Sequence, residues 1–526
     1  MSANMAGLAV GTRNTPALSG AGLLGLVTTG MYDAPLSMYR EYIQNAADAF
    51  AASGLPGTAR VDIGIDVSYR RIRIRDNGPG LSHEEALTRL LPIGRSDKKQ
   101  GIDRGFRGFG RLAGLAFAKT VAFTTRAREG QAVTRITWHS DRLPDVTSTE
   151  SELEGAILDC VEIETLPASD HPEHFFEVEV GDVARHSAGR LLNRDAVRAY
   201  VGGVCPVPMS SEFPFADRVE ELFHGSEAPL TLEVLLEGDP RPVERPYGKA
   251  IRLSANNQAE FTEFQTIRIP SVDGSGEAAL GWIAHSSYLG AIPKEQRVRG
   301  IRARVGNIQI GGEGVFDDLF TEQRFNRWCV GELHVMDSRI IPNARRDYFE
   351  PGPHLRNLEN RLIPVLRDIG TRCRRESTAR NRARKALSTL CDIEDLYALA
   401  TSGYLTSEDS AVLIQKASQK IEEIRKGINK GGLDNGTLKR LDDAVGKLNE
   451  FSGEVESQRF DNMDPVRADI YQEIFGVLVT LAPSPRAAIE SIESVVADAS
   501  RVGQNDSGTN PDQRTWESPP DPTVSG

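Results

Sequence analysis

Three polar side chains recur at helical spacing in the segment REYIQNAADA, residues 40–49. Glu41, Asn45 and Asp48 are four and then three positions apart, so one helix face would present a carboxylate, a carboxamide and a second carboxylate together. The alanines around them are small enough to let another backbone or a ligand approach closely. Taken alone, three polar residues on a helix are more typical of a solvated face, so this segment predicts a site only in combination with others.

A glycine-containing turn follows an alternating strand. The pattern RIRIRD, residues 71–76, places its isoleucines on one face, as expected for a half-buried strand. The next residues, NGPG, force a turn in which Gly78 and Gly80 permit backbone angles that other residues avoid. Asp76 stands at the strand end, where its carboxylate would accept a hydrogen bond from a ligand amine. By itself, the segment is also compatible with an ordinary turn.

A second glycine-rich segment, GFRGFGRLAG, spans residues 105–114. Gly105, Gly108 and Gly110 precede an apolar stretch that is predicted to be a helix, so their amides and the helix N-terminus could hold phosphate oxygens. No G-K-[ST] follows, which excludes a Walker loop, and the strand–turn–helix context of a dinucleotide site is missing. Lysines and arginines in the lid-like stretch 94–107 supply positive charge suited to a triphosphate.

Each segment is a weak signal alone, but their order along the chain is specific. The segments LLGLVTTGMYDAPLSMYREYIQNAADA, DNGPG, GRSDK and GFRGFG together resemble the ATP-binding domain shared by gyrase B, the ninety-kilodalton heat-shock chaperone, histidine kinases and MutL, the GHKL superfamily. The resemblance covers residues 21–126. The spacing from the Leu-Leu pair through Tyr32 to Glu41 is most similar to the HtpG-type chaperone branch, whereas GFRG is closer to MutL.

The resemblance implies a role for each matching position of the pocket. Glu41 would be the general base that orients and deprotonates the attacking water. Asn45 would coordinate Mg²⁺, an ion that keeps most of its oxygen shell from phosphates and water. Asp76 would accept from the exocyclic amine of adenine beside Gly78, and Gly80 would let the base sit close. The implied cofactors are therefore ATP and Mg²⁺.

The same resemblance assigns a mobile lid to the second glycine-rich segment. Gly105, Gly108 and Gly110 would wrap the triphosphate as a lid hinge. Lys98 would contact a phosphate, and a solvated lysine is an equal alternative. Asp48 is compatible with a structural role rather than ligand binding.

A fourth segment, GELHVMDSRIIPNARRDYFE, occupies residues 331–350. It resembles the middle-domain segment of the heat-shock chaperones that ends in an N-x-x-R loop. In that register Asn343 matches the asparagine and Arg346 the arginine that reaches across to the γ-phosphate; Arg345, one position away, stays an alternative. A cation delivered from another domain would neutralise charge on the transferring phosphoryl group and couple hydrolysis to domain closure. An ordinary surface arginine pair is the simpler interpretation.

The composition is typical of a globular protein with several domains. The chain has 526 residues, 39% hydrophobic and 26% charged, and its formal net charge of −12 gives no global preference for nucleic acid or anionic membrane. Five cysteines without a C-x-x-C pairing predict free thiols in a reducing compartment. The apolar run at residues 21–28 is too short to span a bilayer and lacks signal-peptide flanks, so we expect a cytoplasmic protein without membrane contact.

The predicted fold class is α+β. Helix and strand patterns mix in residues 21–225 as in a Bergerat-fold α/β sandwich, preceded by a flexible arm at residues 1–20. Strand-like runs, among them LTLEVLL, IRARVGNIQIG and ELHVM, return in residues 226–352. Because GIRARVGNIQIG resembles the transducer of this superfamily, we expect an α+β transducer-like, ribosomal-protein-like middle domain. Such a domain also argues against a histidine kinase.

The remaining chain is predicted to be helical. Residues 353–502 form an all-α region, in which 407–450 fold as an antiparallel hairpin because apolar residues step by three and four on both sides of GGLDNG. The core of this hairpin could be internal or shared with a partner. The polar composition of residues 503–526 predicts disorder. The basic stretch 356–385 is compatible with a solvated helix face or with an acidic partner such as nucleic acid.

These features predict an ATP-hydrolysing clamp of the molecular-chaperone type. Lid closure over residues 94–110 and association of N-terminal domains in a homodimer would act on a protein client or partner protein. The alternative is a nucleic-acid-associated GHKL clamp of MutL or MORC type that uses the stretch 356–385. A scaffold with a nucleotide switch but no turnover is a third. The chain lacks an acidic linker between its first two domains, and its C-terminal part does not match the chaperone dimerisation domain.

Overall fold

The computed structural model describes most of the chain and leaves the predicted arm outside the described residues. The chain divides into two compact units, residues 1–374 and 375–526, and each has hydrophobic cores of its own. The described residues are 35–92, 110–142, 160–225, 229–343, 345–428, 435–451 and 463–505.

Seven strands of the first unit form one sheet. They are β1 (Arg60–Asp66), β2 (Arg71–Asp76), β3 (Ala118–Arg126), β4 (Val133–His139), β5 (Val161–Leu166), β6 (Phe175–Val183) and β7 (Glu233–Leu236). Their order across the sheet is β5-β4-β3-β6-β2-β1-β7, and every neighbouring pair is antiparallel except β1 and β7. The alternation of RIRIRD predicted β2 correctly, and its buried Ile74 pairs with the buried Ile63 of β1.

Helices pack on this sheet through one apolar core. Met38, Tyr39 and Ile43 of the first helix are fully buried, so its apolar side faces the strands. The second helix begins with a capping box between Ser82 and Glu85, as the S-x-x-E pattern would give. The helices are α1 (Ser37–Ser53), α2 (His83–Leu90), α3 (Arg185–Leu191) and α4 (Arg194–Val204), with 3-10 turns at Gly110–Ala116, Ser140–Arg142 and Ala168–Asp170.

Two expectations for this region need correction. The helix expected at residues 111–118 is a 3-10 turn that ends at Ala116, because Ala118 already pairs with Val183 in the middle of the sheet. The run LTLEVLL was assigned to the second domain, but β7 pairs with β1 in the first sheet. Long-range pairing decides both cases, and local pattern does not report it. The first sheet thus extends beyond residue 225, where the sequence placed the end of the first domain.

A second, curled sheet of six strands follows in the same unit. Its order is β12-β11-β13-β10-β9-β8, with β11 parallel to β13. Gly306 and Asn307 both have positive φ, 52° and 68°, in the tight turn between β11 and β12. The elements are α5 (Ala216–Leu222), β8 (Ala250–Ser254), β9 (Asn257–Pro270), β10 (Glu277–Ser286), β11 (Gly300–Val305), β12 (Ile308–Ile310) and β13 (Val330–Val335), with 3-10 turns at Lys294–Gln296, Asp317–Leu319 and Gln323–Trp328. This sheet confirms the α+β class.

A buried charge cluster ties the second sheet to the first domain. Glu332 of β13 is 0% exposed and forms ion pairs with Arg245 and with Arg304, whose Nε lies 2.8 Å from Oε1. Arg304 also donates to the carbonyl of Gly203 in α4, at 2.8 Å. The Asn307 amide donates to the carbonyl of Leu230 at 3.0 Å. The turn between β11 and β12 is therefore fixed against elements of the first sheet.

The described residues from 353 onward are mainly helical, as predicted. The helix α6 (Pro353–Ala400) buries Leu358, Leu362 and Leu366 in the core of the second sheet. Residues beyond 374 form the second unit, which consists of the end of α6 and four more helices. Those are α7 (Ser407–Ile428), α8 (Asn435–Asn449), α9 (Pro465–Leu481) and α10 (Pro485–Asn505).

The second unit has two apolar cores. The predicted hairpin is formed by α7 and α8, and its core is completed by Leu390 and Ile393 of α6. The apolar stripes are thus covered within the chain by a third helix. In the other core, Phe475 of α9 is fully buried and its ring lies 5.2 Å from that of Tyr404.

Two further features of the described residues are the cysteines and the hydropathy of the helices. All five cysteines are free in the structure; four are buried and Cys391 is exposed. Within the described ranges, no helix is long and apolar enough to cross a membrane.

Candidate functional site

The polar face of α1 lies inside the first domain. Glu41 and Asp48 are 7% and 6% exposed, and Asn45 is half-buried between them. The apolar residues Met38 and Ile43 anchor the helix to the sheet, and its polar residues are held at the same depth. The interpretation of this segment as a solvated helix face is therefore wrong. Buried carboxylates carry a desolvation cost that is met only by partners or ligands.

The carboxylate of Glu41 is surrounded by cations and by a glycine. Arg40 donates to its Oε1, with Nη2 at 3.0 Å. Nη2 of Arg346 lies 3.9 Å from its Oε2. A Cβ atom added at Gly110 would lie 2.5 Å from the same Oε2, so the backbone of the glycine-rich segment approaches the carboxylate more closely than any side chain would permit. The helix face predicted to carry the base thus meets the lid segment and the arginine of the second domain.

Arg346 is presented by a tightly bonded loop after β13. Its backbone φ is 57°, and its carbonyl accepts from the amide of Gly311 at 2.8 Å. Asn343 closes the loop, because its Nδ2 donates to Oδ1 of Asp347 at 2.6 Å and its carbonyl accepts from the amide of Arg346 at 3.1 Å. The neighbouring Arg345 is exposed. The structure therefore places Arg346, and not Arg345, beside Glu41.

Asp76, Gly78 and Gly80 occupy the end of β2 and the turn that follows. Oδ1 of Asp76 accepts from the amide of Gly78 at 2.9 Å. Burial raises the pKa of Asp76 to about 7, and the hydrogen bond from Gly78 opposes that rise. Gly80 has φ 65°, and a Cβ there would lie 1.9 Å from the carbonyl oxygen of Arg126. Only glycine fits this close approach, so the turn is built as the NGPG pattern requires.

Some predicted site residues lie outside the described part of the chain. Lys98, Gly105 and Gly108 belong to residues 93–109, for which the structure gives no placement. Their roles remain predictions. Gly110, the last of the three lid glycines, begins the 3-10 turn next to Glu41.

The sequence analysis missed Gln44. This side chain is 1% exposed, and its Oε1 accepts a hydrogen bond from Nη1 of Arg346. Its position three residues after Glu41 places it beside that residue on the helix, which was the available signal. Arg40 was also not assigned a role, although it pairs with Glu41.

The donor set on α1 fits a magnesium–nucleotide ligand better than a protein-only metal site. Among the described residues, no group of three or more His, Cys, Asp or Glu is arranged to hold a metal ion. Mg²⁺ is commonly bound through one or two protein oxygens plus waters and substrate phosphates. Asn45, one helical turn from the buried Glu41, meets that need. Asp76, at the end of β2, offers a further partly buried carboxylate.

Comparison with known proteins defines the class of this domain. Residues 37–162 match the family described as Histidine kinase-, DNA gyrase B-, and HSP90-like ATPase. The first unit therefore carries a GHKL-type ATPase domain, which confirms the resemblance drawn from the motifs. Proteins of this family bind ATP with Mg²⁺.

Individual relatives are similar over part of the chain. Chaperone protein HtpG of Burkholderia ambifaria is 29% identical over 148 residues, 24% of this chain and 23% of that protein. HtpG of Acinetobacter baylyi is 35% identical over 95 residues, 16% and 15% of the two chains. DNA mismatch repair protein MutL of Methanoculleus marisnigri is 34% identical over 106 residues, 19% and 17%. Each match spans less than a quarter of the length of the relative.

Proposed function

We propose that this chain binds ATP with Mg²⁺ and hydrolyses it in the pocket of its first domain. The observation that carries the proposal is the approach of Arg346 to Glu41, 3.9 Å between Nη2 and Oε2, within a GHKL-type domain. A buried carboxylate next to a cation from a second domain combines a base for water with a counter-charge for phosphate. Burial of Glu41 alone would not require a cation from another part of the chain.

Each residue has a distinct task in this mechanism. Glu41 orients the attacking water and accepts its proton. Asn45 holds Mg²⁺, which when bound neutralises charge on the phosphates. Asp76 accepts from the adenine amine, and Gly80 lets the base approach the turn. Arg346 stabilises the negative charge that develops on the transferred phosphoryl group.

We further propose a chaperone-like clamp that acts on a protein client. The relatives named HtpG and the second domain that delivers Arg346 support it, because a cation from another domain links hydrolysis to domain closure. Lid closure and N-terminal association in a homodimer would hold the client, as the sequence suggested.

A nucleic-acid-associated clamp is the second candidate. The relative named MutL and the basic stretch 356–385 favour it. Arg372 and Arg374 of this stretch already pair with Glu263 and Glu322. Arg384 and Lys385 are exposed, and among the described residues they form no ion pair. An exposed pair of cations provides a phosphate-binding surface only if other residues extend it.

Steady-state phosphate release with and without double-stranded DNA separates these proposals. The chaperone-like proposal predicts turnover that DNA leaves unchanged, together with suppression of aggregation of a denatured protein. Stimulation by DNA that falls steeply with salt would support the nucleic-acid clamp instead. ATP binding without phosphate release would contradict both and favour a nucleotide-switched scaffold.

A further inference from the structure

We propose that Gln44 is a positioning residue that seats Arg346 beside Glu41. The inference rests on the proposed ATPase activity and extends it to a side chain that does not itself react. Gln44 would fix the guanidinium, and Arg346 would then act on the phosphate.

The geometry joins one guanidinium to two positions of α1. Nη1 of Arg346 donates to Oε1 of Gln44, while Nη2 lies 3.9 Å from Oε2 of Glu41. The latter distance is within reach of an ion pair but longer than a hydrogen bond. Gln44 therefore supplies a close directional contact to Arg346, and Glu41 supplies attraction at longer range.

The hydrogen-bond chemistry fixes which way the amide of Gln44 points. Arginine has only donors, so the atom that faces Nη1 must be the oxygen. That leaves Nε2 as the free end, and it is buried with no hydrogen-bond partner within the described part of the chain. A buried unpaired donor is destabilising, and an apolar side chain of similar size would avoid that cost. Stability alone thus does not favour glutamine at this position, whereas the seat for Arg346 does.

The backbone of Arg346 is held independently of Gln44. Its carbonyl accepts from Gly311 at the end of β12, and its φ of 57° is fixed by the loop that Asn343 closes. The second domain therefore fixes one end of the arginine, and α1 of the first domain fixes the other. Removal of the Gln44 oxygen would release the guanidinium, and the loop would then be held only by its own contacts and would open more often.

The kinetic test is a double-mutant cycle between Gln44 and Arg346. Gln44→Leu retains most of the side-chain volume and removes the acceptor. We expect it to lower kcat about tenfold with little change in KM, because misplacement of a catalytic group by about 1 Å can cost as much as about 100-fold. In an Arg346→Ala background the same substitution should change kcat less than about twofold, since there is no guanidinium left to position. Gln44→Glu retains an acceptor oxygen and should restore most of kcat.

Several results would overturn the inference. Equal losses from Gln44→Leu in the wild-type and Arg346→Ala backgrounds would show a general structural role. An unchanged kcat in the Gln44→Leu single variant would show that Arg346 does not need Gln44 to position it. Gln258→Leu, at an exposed position of β9, is the matched control and should match the wild type. If Gln44→Leu does not fold, Gln44→Met takes its place in the cycle.

Amide hydrogen exchange, measured without nucleotide, tests the positioning of Arg346 by Gln44 separately from activity. Gln44→Leu should accelerate exchange in the loop at residues 343–349, while Gln258→Leu leaves it unchanged. If the wild type shows no turnover and Gln44→Leu still loses protection in this loop, the proposed ATPase activity is refuted, but the positioning of Arg346 by Gln44 is supported. Unchanged protection together with unchanged kcat would refute the seat alone.

Discussion

Arg346 and Glu41 lie 3.9 Å apart, measured from Nη2 to Oε2, although they are far apart in the sequence of the first unit. The carboxylate comes from a helix packed on the first sheet, and the arginine comes from a loop that follows the last strand of the second. A loop that follows the second sheet therefore brings a cation to the helix face that carries Glu41. Arg346 lies outside residues 37–162, the part of the chain that matches the ATPase family.

The first prediction concerns the arginine from the second domain. Arg346→Ala should lower kcat about 100-fold and change nucleotide affinity little, because its cation acts mainly on charge that develops in the transition state. The measurement is steady-state phosphate release across ATP concentrations. Arg345→Ala, one residue away and exposed, is the control and should retain wild-type kcat. A larger loss in the Arg345 variant would reverse the assignment.

The second prediction separates binding from stability at Asp76. Asp76→Asn should abolish measurable nucleotide binding, because the amide presents an unsuitable donor to the adenine amine. At pH 8 the free energy of unfolding of the same variant should be about 1 to 3 kcal/mol higher than that of the wild type. The reason is that the variant lacks a carboxylate whose pKa burial has raised to about 7. Isothermal titration and urea unfolding provide the two readouts. A variant that binds normally would remove Asp76 from the site.

The third prediction is a pH dependence of nucleotide affinity. A ligand amine bonds the ionised form of Asp76, so binding should weaken as the pH falls through about 7, the pKa that burial gives this group. Stability follows the opposite direction: the raised pKa favours the protonated folded protein, and this contribution is lost as the pH rises from about 4 toward 7. Titrations between pH 6 and 8 with a non-hydrolysable ATP analogue should show the loss. Affinity that is flat over this range would contradict the assigned contact.

The fourth prediction concerns the buried charge cluster that ties the second sheet to the first domain. Burial would raise the pKa of Glu332, but Arg245 and Arg304 hold it well below its ordinary value, so the carboxylate is ionised in the folded protein. Glu332→Ala should cost about 3 to 5 kcal/mol of unfolding free energy, because it leaves two buried arginines without their shared partner. Urea unfolding measures this loss. Glu263→Ala removes an exposed partner of Arg372 and is the control, with an expected cost below about 1 kcal/mol.

The same cluster predicts sensitivity to acid. Burial lowers the pKa of His334 to about 4, so its folded-state pKa is depressed relative to the unfolded chain. The corresponding stability is present above about pH 6.5 and is lost as the pH falls toward 4. Glu332 loses its contribution at still lower pH. His334→Gln should therefore flatten the stability profile between pH 6.5 and 4, and an unchanged profile would show that His334 does not titrate on unfolding.

Sequence pattern was most informative where neighbours in the chain form the site. The helix spacing of Glu41, Asn45 and Asp48 and the turn after Asp76 are local features, and the structure places them as local rules require. The order of these motifs along the chain, rather than any single one, identified the GHKL-type domain. The resemblance also supplied Arg346, whose position next to Glu41 no local rule could give.

The features that were missed depend on contacts between distant segments. β7 was misplaced because its apolar run suits either sheet and only pairing with β1 decides between them. The 3-10 turn at Gly110–Ala116 replaced a predicted helix because strand pairing begins at Ala118. Gln44 was overlooked because its partner comes from the second domain. Tertiary context overrides local propensity in each of these cases.

Glu41 is proposed to be the base for ATP hydrolysis, and the Glu41→Ala variant examines this role without an intermediate step. Steady-state phosphate release should fall by at least about 100-fold in this variant, while an ATP analogue binds with affinity close to that of the wild type. The Ala side chain leaves the contact between Gln44 and Arg346 in place, so the loss would report the missing carboxylate. Turnover close to the wild-type rate in a folded Glu41→Ala protein would show that Glu41 is not the base.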